Sequence, residues 1–174
     1  MHRLKPDVLR KVEPSGEELA KIIRNPIYLV LDNVLDTYNI GSLFRLADAV
    51  GVQKVILCGN MEYPPSSRIH KAAVGTENWV PWEKRDTTLE VIRELKEKGI
   101  QTVAVEQDKR SIPYTDLKPN FPIAIVVGHE TTGISTEILN EVDKIVELPM
   151  QGINHSFNVW GSAAVVLYKI LESL

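Results

Sequence analysis

Three short stretches gather the polar side chains best able to act on a small molecule. In the last thirty-odd residues, Asn154, His155, Ser156 and Asn158 crowd donors and acceptors into one loop. The loop lies between a short apolar run that stops at Pro149 and a segment whose apolar residues recur at three- and four-residue steps. Strand, polar loop and apolar helix in that order form a plan for a ligand site at the carboxyl end of a strand. The same residues would equally suit a helix cap. The second stretch, Val127 to Ser135, sets Gly128, His129, Glu130 and Gly133 directly after the most apolar run of the chain. It lacks the Lys-Ser/Thr pair of a phosphate loop and the three spaced glycines of a dinucleotide fingerprint, so a pyrophosphate is a poor match. His129 and Glu130 have no standard metal spacing, and no metal is expected. A plain glycine turn with Ser135 capping the next helix also accounts for it. The third stretch places Asn39 at a helix start and Arg45 six residues on, with the small Gly41 and Ser42 between them. Small residues there would let a polyanion or a partner backbone approach closely. Arg45, between Phe44 and Leu46, could instead snorkel over apolar surface.

The elements that must position these stretches follow from periodicity. Apolar runs predict strands over 27–31, 52–58, 100–105, 121–127 and 145–148, with a weak strand starting at Val80. Helical patterns fall over 40–50, with Asn39 as cap and Gly51 as stop, over 66–73, over 87–98 before Gly99, from Ser135 to about 140, and from Val159 to the end. Ser15 with Glu18 predicts a capping box for a short helix ending near 25–26. Helices alternate with strands that read as continuous apolar runs. The expected fold class is therefore α/β, a mostly parallel sheet covered by helices on both faces. Residues 1–24 are expected as an N-terminal helical extension and 25–174 as one domain.

Composition narrows the function. The chain has 174 residues and a net charge of −3, so any grip on nucleic acid must come from a local patch rather than from bulk charge. Arg3, Lys5, Arg10, Lys11, Lys21 and Arg24 make the N-terminal stretch basic, and Arg68, His70 and Lys71 form a second cluster; either could touch phosphate, or simply be solvated surface. Cys58 sits in an apolar run and reads as a buried, inert thiol, which suits a cytoplasmic setting. No apolar run reaches membrane-spanning length, and the start of the chain lacks the apolar core of a signal peptide, so no membrane association is expected. A hydrolase built on His155 and Ser156 is disfavoured, because adjacent residues rarely aim at one another and no nucleophile elbow is present.

Taken together and in this order, the three stretches resemble the motifs of the SpoU-type RNA ribose 2′-O-methyltransferases of the SPOUT superfamily. Asn39, Gly41 and Arg45 look like the first motif. Gly128, Glu130, Gly133 and Ser135 look like the second. Pro149, Met150, Gly152, Ser156 and Asn158 look like the third. The resemblance runs from about residue 27 to the end. Phe157 stands where the family usually has leucine, Trp160-Gly161 replaces a pair of small residues, and His129 takes the place of a small residue.

The resemblance implies a C-terminal segment threaded into a deep trefoil knot, a topology that general rules of chain connection would not suggest. It implies S-adenosylmethionine as methyl donor, held by Val105, Glu106, Gly128, Glu130, Gly133, Leu148, Met150, Ser156 and Phe157. It implies a homodimer whose active site is shared, with Arg45 reaching a donor held mainly by the other chain. Arg45, Asn39, Glu130, Ser156 and Asn158 become the catalytic set, with Asn39 orienting Arg45 and Glu130 positioning either of them. Since a guanidinium stays protonated, Arg45 is expected to bind phosphate and steady a developing alkoxide rather than act as base. The substrate is expected to be structured RNA, touched by Arg45, Arg68 and Lys71. With no separate N-terminal RNA-binding domain evident, tRNA is expected over rRNA. A non-catalytic RNA-binding or assembly protein on the same fold is the alternative.

Overall fold

Unbroken apolar runs bury both faces of a strand, and such strands can only lie inside a sheet with helices above and below. The computed structural model describes residues 14–174 and has this arrangement. Strands β1 (Asn25–Asp32), β2 (Val52–Cys58), β3 (Trp82–Arg85), β4 (Gln101–Val105), β5 (Ile112–Pro113), β6 (Ile123–Val127) and β7 (Lys144–Glu147) form one sheet in the order β3-β2-β1-β6-β4-β7-β5. Every pairing between these strands is parallel, a stricter result than the mostly parallel sheet expected. The helices are α1 (Gly16–Leu19), α2 (Thr37–Ala49), α3 (Ser67–Ala73), α4 (Thr88–Glu97), α5 (Thr136–Glu141) and α6 (Val159–Leu171).

The two-residue period of a strand divides the core. Ile27, Leu29 and Leu31 of β1 point to one face, where they join Leu43 and Phe44 of α2, Ile69 of α3 and Leu167 of α6. Val30 points to the other, among Val91 and Ile92 of α4 and Ile138 and Leu139 of α5. Cys58 is fully buried, and burial pushes its thiol pKa up to about 12, so it is no nucleophile.

Local signals set most boundaries. Thr87 and Ser135 accept the backbone N–H of Glu90 and Ile138, as N-caps should. Gly51 and Gly99 take left-handed conformations just past α2 and α4. The capping box between Ser15 and Glu18 forms, but α1 closes at Leu19 instead of running on to 25. Arg24 is committed to the fold: it donates to the carbonyl oxygens of Trp79 at 2.9 Å and Val52 at 3.4 Å. Arg3, Lys5, Arg10 and Lys11 lie outside the described residues.

Helix α2 departs from the sequence reading in two ways. Its cap is Asp36, whose carboxylate accepts the Tyr38 N–H at 2.8 Å, so Asn39 falls inside the first turn. The small side of Gly41 faces α3 rather than a polyanion. A Cβ there would come within 2.6 Å of Ala72 Cβ and 2.7 Å of Ala73 N and Ile69 O. Two of those three atoms are backbone and cannot swing away. Gly41→Ala therefore forces α2 and α3 apart. The overpacking cost exceeds the helix-propensity gain, leaving a net loss of about 1–2 kcal/mol. Thermal unfolding should show a Tm lower by roughly 3–6 °C; an unchanged or raised Tm would mean that the two helices do not meet at this glycine.

Candidate active site

A broad cavity opens where β4, β6 and β7 end. Val105, Val127 and Glu147, the last residues of those strands, line it, and its volume is about 380 Å³. Its floor is the turn that begins at Gly128, and its outer wall is the loop from Met150 to Asn158. Val105, Glu106, Gly128, Glu130, Gly133, Leu148, Met150, Ser156 and Phe157 all border it. The sequence reading did not single out Gln107, Thr131, Glu147 or Ser162, which also border it. Gln107, Thr131 and Glu147 are loop or strand-end positions without a periodic signature, and Ser162 lies in the first turn of α6. Gln107 ties the two walls together by donating from Nε2 to the His155 carbonyl oxygen at 2.7 Å.

The charges around this cavity are one-sided. Glu106, Glu130 and Glu147 border it, and no lysine or arginine among the described residues does. Glu106 is fixed by the turn opposite, because its carboxylate accepts the Ile134 N–H at 2.9 Å and the Gln107 N–H at 2.9 Å. His129 is fixed from within its own turn: its Nδ1 accepts the N–H groups of Thr131 and Thr132 at 2.9 and 3.2 Å. A ring nitrogen that accepts carries no proton, so the neutral ring holds its proton on Nε2.

A polar chain joins the three motif stretches. Glu130 accepts from Leu35 N (3.1 Å), Asp36 N (2.9 Å) and Asn39 Nδ2 (2.9 Å). Asn39, only 2% exposed, in turn accepts on Oδ1 from Asn158 Nδ2 at 3.1 Å. Asn158 then caps α6 by accepting the Trp160 N–H at 3.0 Å. Burial alone would raise the Glu130 pKa, but the donors from Asn39, Asp36 and Leu35 outweigh it and hold the carboxyl below its ordinary range.

One expected contact is not made within this chain. Asn39 meets Glu130 and Asn158, not Arg45. Arg45 is exposed, lies outside the cavity lining, and makes no hydrogen bond or ion pair with the described residues. Six residues along a helix turn a side chain about 240° away, so Asn39 and Arg45 leave α2 on different sides. Ser156 also stays within its own loop, where its N–H and hydroxyl donate to Asn154 Oδ1 at 3.2 and 3.3 Å. Of the candidate RNA contacts, Arg68 pairs with Glu62 at 2.6 Å while remaining largely exposed, and Lys71 is exposed without a partner among the described residues. No group of three or more His, Cys, Asp or Glu among the described residues is placed so that it could hold a metal ion.

The two unusual residues of the third motif explain one another. A Cβ on Gly161 would come within 2.8 Å of the Phe157 ring. The larger aromatic fits because the helix below it offers no side chain.

A parallel sheet with a cavity over three strand ends, closed by a glycine turn and a polar loop, defines an α/β protein of the class that binds its small ligand at strand carboxyl ends. The chain belongs to the SpoU rRNA Methylase family, whose model matches residues 26–168. Among its relatives, the tRNA (guanosine(18)-2′-O)-methyltransferase of Aquifex aeolicus is 30% identical over 93% of this chain and 76% of its own length. YacO of Bacillus subtilis, assigned to the TrmH family of tRNA/rRNA methyltransferases, is 28% identical over 94% of this chain. The chain spans 63% of that relative's length. In three dimensions it matches the A. aeolicus TrmH/SpoU tRNA modifying enzyme with a TM-score of 0.80 at 28% identity, covering 96% of this chain and 81% of that one. It matches the AdoMet-bound rRNA methyltransferase of Sinorhizobium meliloti with a TM-score of 0.81 at 26% identity, covering 99% of this chain and 62% of that one.

Glu130 gives the site a measurable pH dependence. Its folded pKa is depressed, so its contribution is fully present above the ordinary glutamate value and fades as pH falls through the folded value. Glu130→Gln keeps the shape but puts an amide donor against donors. At neutral pH the variant should lose about 1 kcal/mol in urea unfolding, and the gap to wild type should close on acidification below about pH 4. A gap that persists unchanged in acid would show that the carboxylate charge is not what holds Leu35, Asp36 and Asn39.

Proposed function

We propose that this chain transfers a methyl group from S-adenosylmethionine to a ribose 2′-hydroxyl of structured RNA. The observation that carries this reading is the charge of the cavity. Its border holds three carboxylates and no lysine or arginine among the described residues, which suits a ligand bearing a sulfonium and an ammonium and repels a pyrophosphate. The volume of about 380 Å³ lies in the range of small-molecule sites. Gly128 lets the turn at the floor close tightly, since a Cβ there would meet Ile134 and Gly133 at 2.6–2.8 Å. Val105, Glu106, Gly128, Leu148, Met150 and Phe157 are the residues that would hold the donor. AdoMet binding by the Sinorhizobium relative supports this assignment.

When bound, S-adenosylmethionine supplies a methyl carbon made electrophilic by its sulfonium. The chain's own part is to place the ribose oxygen in line with that carbon and to exclude water, since positive charge dwindles as the new C–O bond forms. The hydroxyl must shed its proton, and a cation beside the oxygen eases that loss. Arg45 is the cation assigned to this task. Because it stands away from its own cavity, the reading places it in the cavity of a second copy. Leu35, Tyr38, Phe157 and Trp160 are exposed apolar side chains clustered at the starts of α2 and α6, and Ile153 on the adjoining loop is 97% exposed. A second copy packed there would cover them and carry its Arg45 inward. Asn158 is the polar group set to meet the ribose, and Glu130 and Asn39 hold it from behind. On this reading Glu130 is a positioning residue, since both of its oxygens are engaged, by three donors in all.

A threaded C-terminal segment belongs to the same proposal. The connection 106–122 leaves β4, passes beyond β7 to form β5 on its far side, and returns to β6. Strand β7 thus runs within a loop of chain, an arrangement that supports a knot. The relatives' names speak for both tRNA and rRNA; the Aquifex match favours tRNA.

The test is transfer of labelled methyl groups to unfractionated RNA, with mapping of the modified ribose. Calorimetric titration of S-adenosylmethionine accompanies it. Arg45→Ala should keep donor affinity within about twofold and lower methyl transfer by 10²-fold or more. Mixed with Asn158→Ala chains, it should recover about a quarter of wild-type transfer, because half of the dimers are mixed and each holds one intact site. No recovery on mixing would end the shared-site reading. Donor binding without transfer to any RNA would favour a non-catalytic RNA-binding protein instead.

A further inference from the structure

A second cleft opens beside α3, on a different face from the one that meets Gly41. Pro64, Pro65 and Trp82 give it apolar walls, and His70, Glu77 and Asn78 give it polar ones; its volume is about 560 Å³. Trp82 is buttressed edge-on by Phe44 at 6.4 Å, and Tyr63, partly exposed, tilts against it at 6.5 Å. Lys84 sits over the Tyr63 ring at 4.6 Å. On the solvent side of α3, Arg68 and Lys71 stand exposed next to the cleft.

The polar wall is built with some care. Val74 and Gly75 both adopt left-handed backbone conformations, at φ of 59° and 90°. For a β-branched residue this is strained. The turn they make brings Glu77 back behind His70. Glu77 is buried and takes the Nδ1 of His70 on one oxygen. Its other oxygen, Oε2, is buried with no partner among the described residues. A carboxylate can only accept, so His70 keeps its proton on Nδ1, and in the neutral ring Nε2 carries the lone pair. Flat apolar surfaces, fixed acceptors and flanking cations are the chemistry that holds an unstacked nucleobase with its phosphates outside.

We infer that this cleft captures an unpaired base of the RNA, one that presents an N–H edge, separately from the methyl-transfer cavity. The inference rests on the proposed RNA methyltransferase reading. Position supports it. Arg45 lies one turn beyond Gly41 on α2, hence toward the α3 side, so RNA engaged by Arg45 passes directly over Lys71 and Arg68. The captured base therefore belongs to a nucleotide near the one that Arg45 engages. His70 and Trp82 touch the base, and Glu77 is a positioning residue that sets the tautomer of His70.

The test uses the full chain and fluorescein-labelled single-stranded RNA of six nucleotides, against the same length of abasic ribose phosphate, read by anisotropy. Wild type should bind the intact strand roughly tenfold tighter than the abasic one. His70→Ala, at a partly exposed position, should erase most of that ratio, and Tyr63→Ala, which removes the ring propped against Trp82, should lower it, while S-adenosylmethionine titrates as in wild type. Glu77→Gln can turn its amide and reverse the His70 tautomer. It should shift the preference among hexamers of A, C, G and U at an unchanged Tm. Equal binding of intact and abasic strands, or a wild-type ratio in His70→Ala, overturns the inference and leaves phosphate contact alone. If wild type binds no S-adenosylmethionine, the functional reading fails; if it binds the donor but does not discriminate bases, only the cleft assignment fails.

Discussion

A carboxylate cannot donate, and the polar heart of this protein follows from that asymmetry. Glu130, ionised, obliges Asn39 to present its amide hydrogens. Asn39 is then left with its carbonyl oxygen facing Asn158, which must present its own amide hydrogens in turn. That leaves the Asn158 oxygen free to cap α6. One anionic group thus sets the direction of every amide along the chain. The link spans three segments that are remote in sequence. It also ties the first turn of α2 to the first turn of α6, the two helices that share a face of the sheet. If Glu130 were neutral, each amide could face either way, and the loop between β7 and α6 would lose its anchor.

The same asymmetry shapes the cavity. Parallel strands all deliver their carboxyl ends to one side, so the loops after β4, β6 and β7 must meet there. Each loop brings a glutamate: Glu106, Glu130 and Glu147. Two of these have their oxygens occupied by backbone N–H groups, which keeps their charge in place without a counter-cation. A site built this way attracts positive charge, and on the methyl-transfer reading it offers none to a hydroxyl that must shed its proton. On the two-protomer reading the missing cation comes from outside, and the exposed apolar side chains at the starts of α2 and α6 give that second copy something to bury.

What was legible in the sequence was whatever depends on local physics. Continuous apolar runs gave a parallel sheet covered on both faces, because a strand buried on both sides has no polar alternative. Ser15 and Ser135 were readable as caps, since each satisfies the N–H three residues on. The nine residues expected to surround a donor do border one cavity, a consequence of family resemblance and not of periodicity. What was illegible depends on distant partners. Asn39 looks like a cap because asparagine usually is one, yet Asp36 caps the helix and Asn39 turns inward to a carboxylate 91 residues away. Gly41 looks like an opening for a ligand, yet Ala72 and Ala73 fill it. Strand β5 is only two residues long and carries a proline, so no pattern could announce it; it exists because β7 leaves an edge to be paired. The pairing of His70 with Glu77 depends on a left-handed Val74 that no propensity would suggest.

On the two-protomer reading, helix α2 shows how few residues can set a division between two chains. Its periodicity fixes what each side chain can meet. Asn39 faces the polar chain, Gly41 faces α3, and Arg45 faces solvent. Since a rigid helix cannot bring Asn39 and Arg45 to one point, a substrate that needs both must draw them from two copies of the helix. The close contact at Gly41 makes the restriction firm, because α2 cannot roll about its axis without driving its backbone into α3. An insertion or a flexible first turn would relax the angle and let one chain use both residues. The glycine removes that freedom. The packing of two helices, far from any reacting atom, therefore decides whether a lone protomer can supply the arginine to its own cavity.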